Sequence, residues 1–528
     1  MTTRWQSNIV GIDLGTTFSV IARLGPDGSA MTIPNQDGEP LTPSVIFVEG
    51  STALVGREAR EAAAVDSSKA AMFVKREMGK PFFSRQVAGR QFRPETLSAI
   101  ILRKLKQDAE KHIGTIKKAV ITVPAFFDDT RRKATEDAGR IAGLEVLDII
   151  NEPTAAALAH ALEGQHSQTG PIRTLDFPGG EMVALVYDLG GGTFDCTVVR
   201  LASKRFETLA TDGAVQLGGK DWDDKIVEHM AQEFRKRYGI NPAQDQQRRD
   251  SMTSAAEKAK KFLSKLTKAP LECFHQGQEL RIELTRAQFE DMTRDLMAQT
   301  QIVTELVVQQ AKMTWDRINR VLLVGGSTKM PMVKQMLRQV TGKEPDDSLD
   351  ADQVVARGAA IHAGIVASKD NDAELEVNEE LKEELKDVVE VNVNAYSLGV
   401  EAVQRDGRQI NAILIPKNTQ LPFAASRIFH TRRAGANNVR VKVLEGEAPD
   451  AAANIQIGEC LVTQLPPNLP AKAPIQVRCS YGANGRISVM ALDMTGGRFA
   501  HAEIKREYGL SESDVRREAE YVNSLTIQ

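Results

Sequence analysis

Two stretches decide the fold. Ile12-Asp13-Leu14-Gly15-Thr16-Thr17-Phe18 recurs as Tyr187-Asp188-Leu189-Gly190-Gly191-Gly192-Thr193-Phe194-Asp195, about 175 residues further on. Each copy has an apolar strand ending in Asp, glycines in the turn, a Thr, and an apolar strand running back. Glycines let backbone N–H groups approach phosphate oxygens with no Cβ in the way. Thr hydroxyls add donors. An Asp at each strand end suits the water shell of Mg²⁺, a cation that keeps several waters when bound. One such turn is also what a glycine-containing hairpin needs. Two copies, each closing a strand pair, describe two facing loops that would clamp the phosphates of one nucleotide between two lobes.

A third loop extends the pattern. Val321-Leu322-Leu323-Val324-Gly325-Gly326-Ser327-Thr328-Lys329 reads as a strand, a glycine pair and a helix start, a combination that favours anions or close backbone approach. The spacing is neither a Walker A loop nor a dinucleotide fingerprint. Gly218-Gly219 adds another glycine pair in the second half.

Outward from these loops, residues 1–368 alternate apolar strands with helix-period stretches. Strands are expected at 9–14, 18–24, 119–123, 183–188, 194–201 and 320–324. Helices are expected at 99–112, at 130–142 with Asp128 or Asp129 as cap, and at 330–340. Such alternation implies an α/β layer architecture. Residues 369–390 hold ten acidic residues and three lysines, with no glycine or proline, which reads as an exposed charged helix and a solvated linker. From 391 to about 508 the period becomes two, as in Val439, Val441 and Val443. Turn signals recur at Asp406-Gly407, Gly435, Asn484-Gly485 and Gly496-Gly497, so a separate all-β sandwich follows. Residues 509–528 open on Ser511-x-x-Asp514 and form one short helix.

Composition narrows the function classes. The 528 residues are 42 % hydrophobic and 26 % charged, with 67 Lys+Arg against 70 Asp+Glu. No basic excess points to nucleic acid or to an anionic membrane, and no apolar run is long enough to span one. Cys196, Cys273, Cys460 and Cys479 form no Cys-x-x-Cys pair. Thiols in a reducing cytoplasm are the expectation.

Taken together, these residues resemble the actin, sugar-kinase and heat-shock ATPase superfold. Within it the chain is similar to the 70-kDa heat-shock chaperones of DnaK type. The matching stretches begin at Gly11, Val123, Ile150, Asp188 and Gly325, as Gly-Ile-Asp-Leu-Gly-Thr-Thr, Val-Pro-Ala-Phe-Phe-Asp, Ile-Asn-Glu-Pro-Thr-Ala-Ala-Ala, Asp-Leu-Gly-Gly-Gly-Thr-Phe-Asp and Gly-Gly-Ser-Thr. The resemblance implies a two-lobed ATPase, then a peptide-binding β-sandwich, with ATP/ADP and Mg²⁺ as cofactors. It implies extended polypeptides, a J-domain co-chaperone and a nucleotide-exchange factor as partners. By motif, Gly15, Thr16, Thr17, Phe18, Gly190, Gly191, Gly192 and Thr193 match the phosphate loops. Asp13 and Asp188 match the carboxylates around hydrated Mg²⁺, with Asp195 close by. Lys75 matches the lysine that positions the attacking water, and Glu152 the nucleotide-sensing glutamate. Pro124 and Arg132 match an interdomain relay. Glu257, Lys260, Lys261 and Ser264 match the helix that grips adenosine, joined by Gly218, Gly219, Gly325, Gly326, Ser327, Lys329 and Asp352. Read alone, those four helical residues lie at i, i+3, i+4 and i+7 and are equally a solvated face. Val400, Val403, Phe429, Val439 and Val441 are the expected lining of the peptide groove, and alternating valines are equally sandwich core.

Five departures bear on function. Lys329 stands where the family has an arginine near adenine. Lys220 replaces the glutamate after Gly218-Gly219. The linker 387–393 lacks the family's leucine run, and Glu390 would be costly to bury unpaired. The sequence ends where the family's helical lid begins, so bound peptide is expected to leave faster. Arg432 and Arg433 add positive charge where the family closes the peptide cleft with a small apolar residue, an expected bias toward acidic peptides. An ATP-driven peptide-binding chaperone is the leading reading. A regulatory scaffold with one partner and a small-molecule kinase of the same superfold are the alternatives.

Overall fold

The computed structural model describes residues 9–163, 180–202, 204–370, 377–482, 487–503 and 509–528. The expected turn at Asn484-Gly485 falls outside them. Two sheets repeat one plan. In the first lobe Ile9–Asp13 pairs antiparallel with Phe18–Leu24 and parallel with Lys118–Val123, which Glu145–Asn151 extends in parallel. In the second, Met182–Leu189 pairs antiparallel with Phe194–Ala202 and parallel with Arg320–Val324. The central strands are the two quoted stretches, so Asp13 and Asp188 occupy equivalent strand ends. Asp128 caps the helix Asp129–Ile141 by accepting from the Arg131 N–H at 2.9 Å.

Each lobe has its own apolar core. Ile12, Ile46, Leu97 and Ile121 mark the first, and Leu185, Trp222, Phe234 and Leu323 the second. A third core runs between the lobes along two alanine-rich helices, Glu152–Glu163 and Val354–Lys369. Small side chains let these helices pack closely, which holds the lobes at a fixed pivot.

The sandwich is two four-stranded antiparallel sheets. One orders Gln409–Ile415, Leu398–Val403, Asn438–Glu445 and Ile455–Thr463; the other orders Phe423–His430, Pro474–Tyr481, Ile487–Asp493 and Phe499–Glu503. Its core includes Leu398, Val443, Ile475 and Val489.

Two segments differ from expectation. The acidic stretch is not simply solvated. Its helix Glu379–Lys386 buries Leu381 and Leu385 in the interlobe core, and Val389–Val391 then adds in parallel to Arg205–Ala214 at the edge of the second lobe's sheet. The apolar i, i+4 pair outweighs the surrounding charge, which stays on the outer face. The C-terminal helix Glu512–Ser524, capped by Ser511, docks on the first lobe with Val515, Val522 and Leu525 in that lobe's core. Thr526–Ile527 follows it and pairs in parallel with Thr52–Val55.

Candidate functional site

A cavity of about 910 Å³ opens between the lobes. Asp13, Gly15, Thr16, Thr17, Phe18, Lys75, Glu152, Asp188, Gly190, Gly191, Thr193, Gly219, Glu257, Lys260, Lys261, Ser264, Gly325, Gly326, Ser327, Lys329 and Asp352 all line it. The residues come from segments more than 300 positions apart, and the two loops meet across the cleft. A Cβ on Gly191 would fall 1.9 Å from Thr17 Oγ1. Gly192, Gly218 and Asp195 stand outside the lining. A Cβ on Gly218 would fall 2.5 Å from the Gly192 nitrogen, so this pair serves loop packing behind the wall.

The loops are held by a hydrogen-bond frame. Gly190 N–H donates to Thr193 O at 3.1 Å and closes the second turn. Gly219 N–H (2.9 Å) and Ser327 Oγ (2.9 Å) both donate to the Gly190 carbonyl, joining the second and third glycine loops. In the first loop Ser44 Oγ donates to Gly15 O at 2.8 Å. Lys260 donates to Gly219 O at 2.6 Å and to the buried Asp223 at 2.9 Å. Glu257 accepts from Arg60 of the opposite lobe at 2.5 Å and from Lys261 at 2.7 Å. Burial opposes ionisation of Glu257, but these cations outweigh it and hold the carboxyl below its usual range.

At the base of the cleft, charge is concentrated. Lys75 is 6 % exposed and bonds the buried Glu152. Asp13 accepts from Thr122 Oγ1 at 3.1 Å, and Asp195 from the Phe126 N–H at 2.9 Å. Burial, then the Glu152 charge, pushes Asp13 up to about 7 and Asp195 up to about 8. The same two causes raise Asp188 well above the carboxylate range. Burial alone would lower Lys75, but Glu152 and Asp13 reverse that and raise it. Four carboxylates therefore share one ammonium. Among the described residues no three His, Cys, Asp or Glu side chains form a direct metal cage.

Some functional neighbours were not singled out in the sequence. Asp223 lines the cavity and anchors Lys260, at one turn into the helix opened by Gly219. Phe73 lines it as well, and the Lys220 ammonium, which the sequence did mark as a departure, lies 5.5 Å from its ring centre and bonds Asp224. Lys329 is held by Asp352. Thr122 and Ser44 sit outside any motif.

The site connects to the sandwich. Pro124 and Phe126 follow the strand Lys118–Val123. Phe126, whose N–H donates to Asp195, sets its ring 4.5 Å from that of Tyr396 of the sandwich at a tilt of 42°, and its carbonyl accepts the Tyr396 O–H at 3.1 Å. Arg132, in the following helix, bonds Asn151 beside Glu152. Lys417 of the sandwich reaches Asp212 at 2.8 Å, and Asn418 accepts from Thr211 N–H at 3.0 Å.

The expected peptide lining divides. Val400 and Val441 are 1 % and 6 % exposed inside the sandwich, so they belong to its core, a correction to the sequence expectation. Phe429 and Val439 are half-buried against that core, and Val403 is half-buried at a strand end. Arg432 and Arg433 are exposed.

Fold and cleft define a two-lobed nucleotide-binding ATPase joined to a β-sandwich. The Hsp70 protein profile matches residues 9–88 and 81–526, and the chain belongs to the Hsp70 family. As a member it is an ATP-dependent molecular chaperone that hydrolyses ATP and binds unfolded polypeptide. The small-molecule kinase and scaffold readings are not favoured. The chain is 39 % identical over 518 residues to the "Chaperone protein DnaK" of Thermotoga neapolitana, covering 96 % of this chain and 82 % of that one. It is 37 % identical to the protein of the same description from Thermosipho melanesiensis, over 517 residues and the same shares. Among the described residues no helix is long and apolar enough to cross a membrane.

Proposed function

We propose that ATP and ADP bind in the interlobe cavity with the expected residues in the roles their motifs imply, and that nucleotide state reaches the sandwich through Phe126 and Tyr396. The observation that carries this is the excess of buried carboxylate at the cleft base. Asp13, Asp188, Asp195 and Glu152 face one lysine, a balance that a hydrated divalent cation and a phosphate chain would complete. Asp13 and Asp188 would hold Mg²⁺ through water, which fits the absence of a direct cage among the described residues. Mg²⁺, when bound, neutralises phosphate charge.

The chain's own groups do the rest. Backbone N–H groups of the glycine turns and the Thr16, Thr17 and Thr193 hydroxyls orient the phosphates. Lys75, kept charged by Glu152, orients the attacking water and offsets charge developing on the transferred phosphoryl group. Glu257, Lys260, Lys261, Ser264, Lys329 and Asp352 border the adenosine. A shift of Asp195 moves the Phe126 amide it holds, and Phe126 carries Tyr396; Pro124 and Arg132 frame that segment. Phe429, Val439 and Val403 line the peptide site, where an extended chain binds through backbone hydrogen bonds and an apolar pocket. A J-domain co-chaperone and a nucleotide-exchange factor complete the cycle in the cytoplasm.

The test is the dissociation rate of a fluorescent extended apolar peptide from ATP-loaded and ADP-loaded protein. Faster release with ATP, abolished by Tyr396→Ala with ATP affinity intact, is the expected result. Equal rates in both states would contradict the relay.

A further inference from the structure

The linker strand Val389–Val391 lies at the edge of the second lobe's sheet, paired with Arg205–Glu207. Its central residue, Glu390, has a side chain 10 % exposed. Burying a carboxylate there without a counter-charge would be costly. The structure supplies one. Glu390 Oε1 is 2.7 Å from His362 Nδ1, and His362 Nε2 is 2.9 Å from Asp148 Oδ2. The three residues come from three elements: the linker, the interlobe helix Val354–Lys369, and the strand Glu145–Asn151 of the first lobe. Each ring nitrogen faces a carboxylate, so the ring donates on both sides only as an imidazolium. Burial opposes that charge, but Glu390 and Asp148 outweigh it and push the ring up to about 10. The second Glu390 oxygen is buried and has no hydrogen-bond partner among the described residues, so compensation rests on His362. The basic groups flanking the linker strand bond other partners: Lys369 donates to the Val388 carbonyl at 2.9 Å, Lys204 reaches Asp387 at 2.7 Å and Arg205 reaches Glu207 at 3.9 Å.

We propose that Asp148, His362 and Glu390 form an ion lock that holds the interdomain linker in its docked register and ties that register to the first lobe. An apolar side chain at 390 would grip the sheet edge wherever the strand slid; the carboxylate is accommodated only where it meets the imidazolium. Docking at this edge then becomes a two-position event, because sliding or lifting the strand leaves His362 with one partner and Glu390 with none. Asp148 joins the first lobe's sheet to the same ring, so a rotation of the lobes about the helix pair pulls on the lock.

Amide exchange at residues 389–391, where the Val389 N–H donates to Lys204 O at 2.8 Å, measures the lock in the full chain. Glu390→Gln keeps size and shape and removes one charge; it is expected to speed exchange there by about tenfold or more. Exchange in the core strand Met182–Leu189 and ATP affinity should not change. His362→Leu is expected to speed exchange further, and the double variant His362→Leu/Glu390→Leu to restore protection, since the buried carboxylate is gone and Asp148, 38 % exposed, is left to water. Wild-type exchange in Glu390→Gln, or a double variant as exposed as His362→Leu, would overturn the lock. If His362→Leu does not fold, Glu390→Gln alone decides.

Discussion

The nucleotide cleft and the interdomain contact are both buried and both charged, but they balance charge differently. In the cleft, Asp13, Asp188, Asp195 and Glu152 share Lys75, and burial drives the aspartates upward. At the contact, most charges meet partners within the protein: Lys417 with Asp212, and His362 with Asp148 and Glu390, while Glu445 beside Asp128 and Asp129 is the exception. An unbalanced site is one that waits for a ligand, whereas a balanced one holds a conformation. The difference separates the region that does chemistry from the region that reports it.

Removing the ammonium that the carboxylates at the cleft base share should have the largest effect. Lys75→Ala is expected to slow single-turnover ATP hydrolysis by about a hundredfold or more, with ATP affinity within a few-fold of wild type. Equal effects on binding and turnover would reduce Lys75 to a structural ion-pair partner of Glu152.

Glu445 tests the contact by pH. It is buried beside Asp128 and Asp129 at the helix start, and burial and those charges push it up to about 8. Undocking returns it to the ordinary carboxylate range, near 4.3. The docked state then binds the extra proton between those values. Docking is therefore strongest at the acid end and weakens as pH rises through about 8, by at most about tenfold per pH unit for one proton. Glu445→Gln should flatten that profile, read as crosslinking between sandwich and ATPase across pH 5–9 (~4 units). A rising profile would reverse the assignment.

Smaller losses should follow at the paired groups. Lys417→Met leaves Asp212 with the Gln310 amide at 3.0 Å as a remaining donor, so docking should weaken by about 1–2 kcal/mol. Tyr396→Phe removes one hydrogen bond to the Phe126 carbonyl and keeps the ring contact, about 1 kcal/mol by the same crosslinking measurement. An effect of Tyr396→Phe greater than that of Lys417→Met would move the main contact from charge to the Phe126 loop.

What the sequence could say follows the range of the interactions. The hairpins at 9–24 and 182–202 were legible because a glycine turn between two short apolar runs is a local signal, and the duplication made the cleft legible with them. Thr122, Ser44 and Asp223 were not, because each acts on a partner that only tertiary structure brings near. Val400 and Val441 misled because alternation marks an inward face and does not tell core from groove. The spacer misled by charge: Leu381 and Leu385 were in plain view four residues apart. Glu390 reads as costly to bury unpaired, and its partner lies 28 positions upstream on another element, out of reach of any local pattern. Ser511-x-x-Asp514 announced the last helix, and nothing local announced that Val515 and Val522 would dock on the first lobe.

Coupling between the two regions is read most directly from single-turnover ATP hydrolysis with and without a saturating extended apolar peptide. The account predicts that peptide accelerates hydrolysis in the wild type and that Tyr396→Ala removes the acceleration while basal turnover stays. Hydrolysis unchanged by a peptide whose binding is shown in the same sample by fluorescence titration would contradict it.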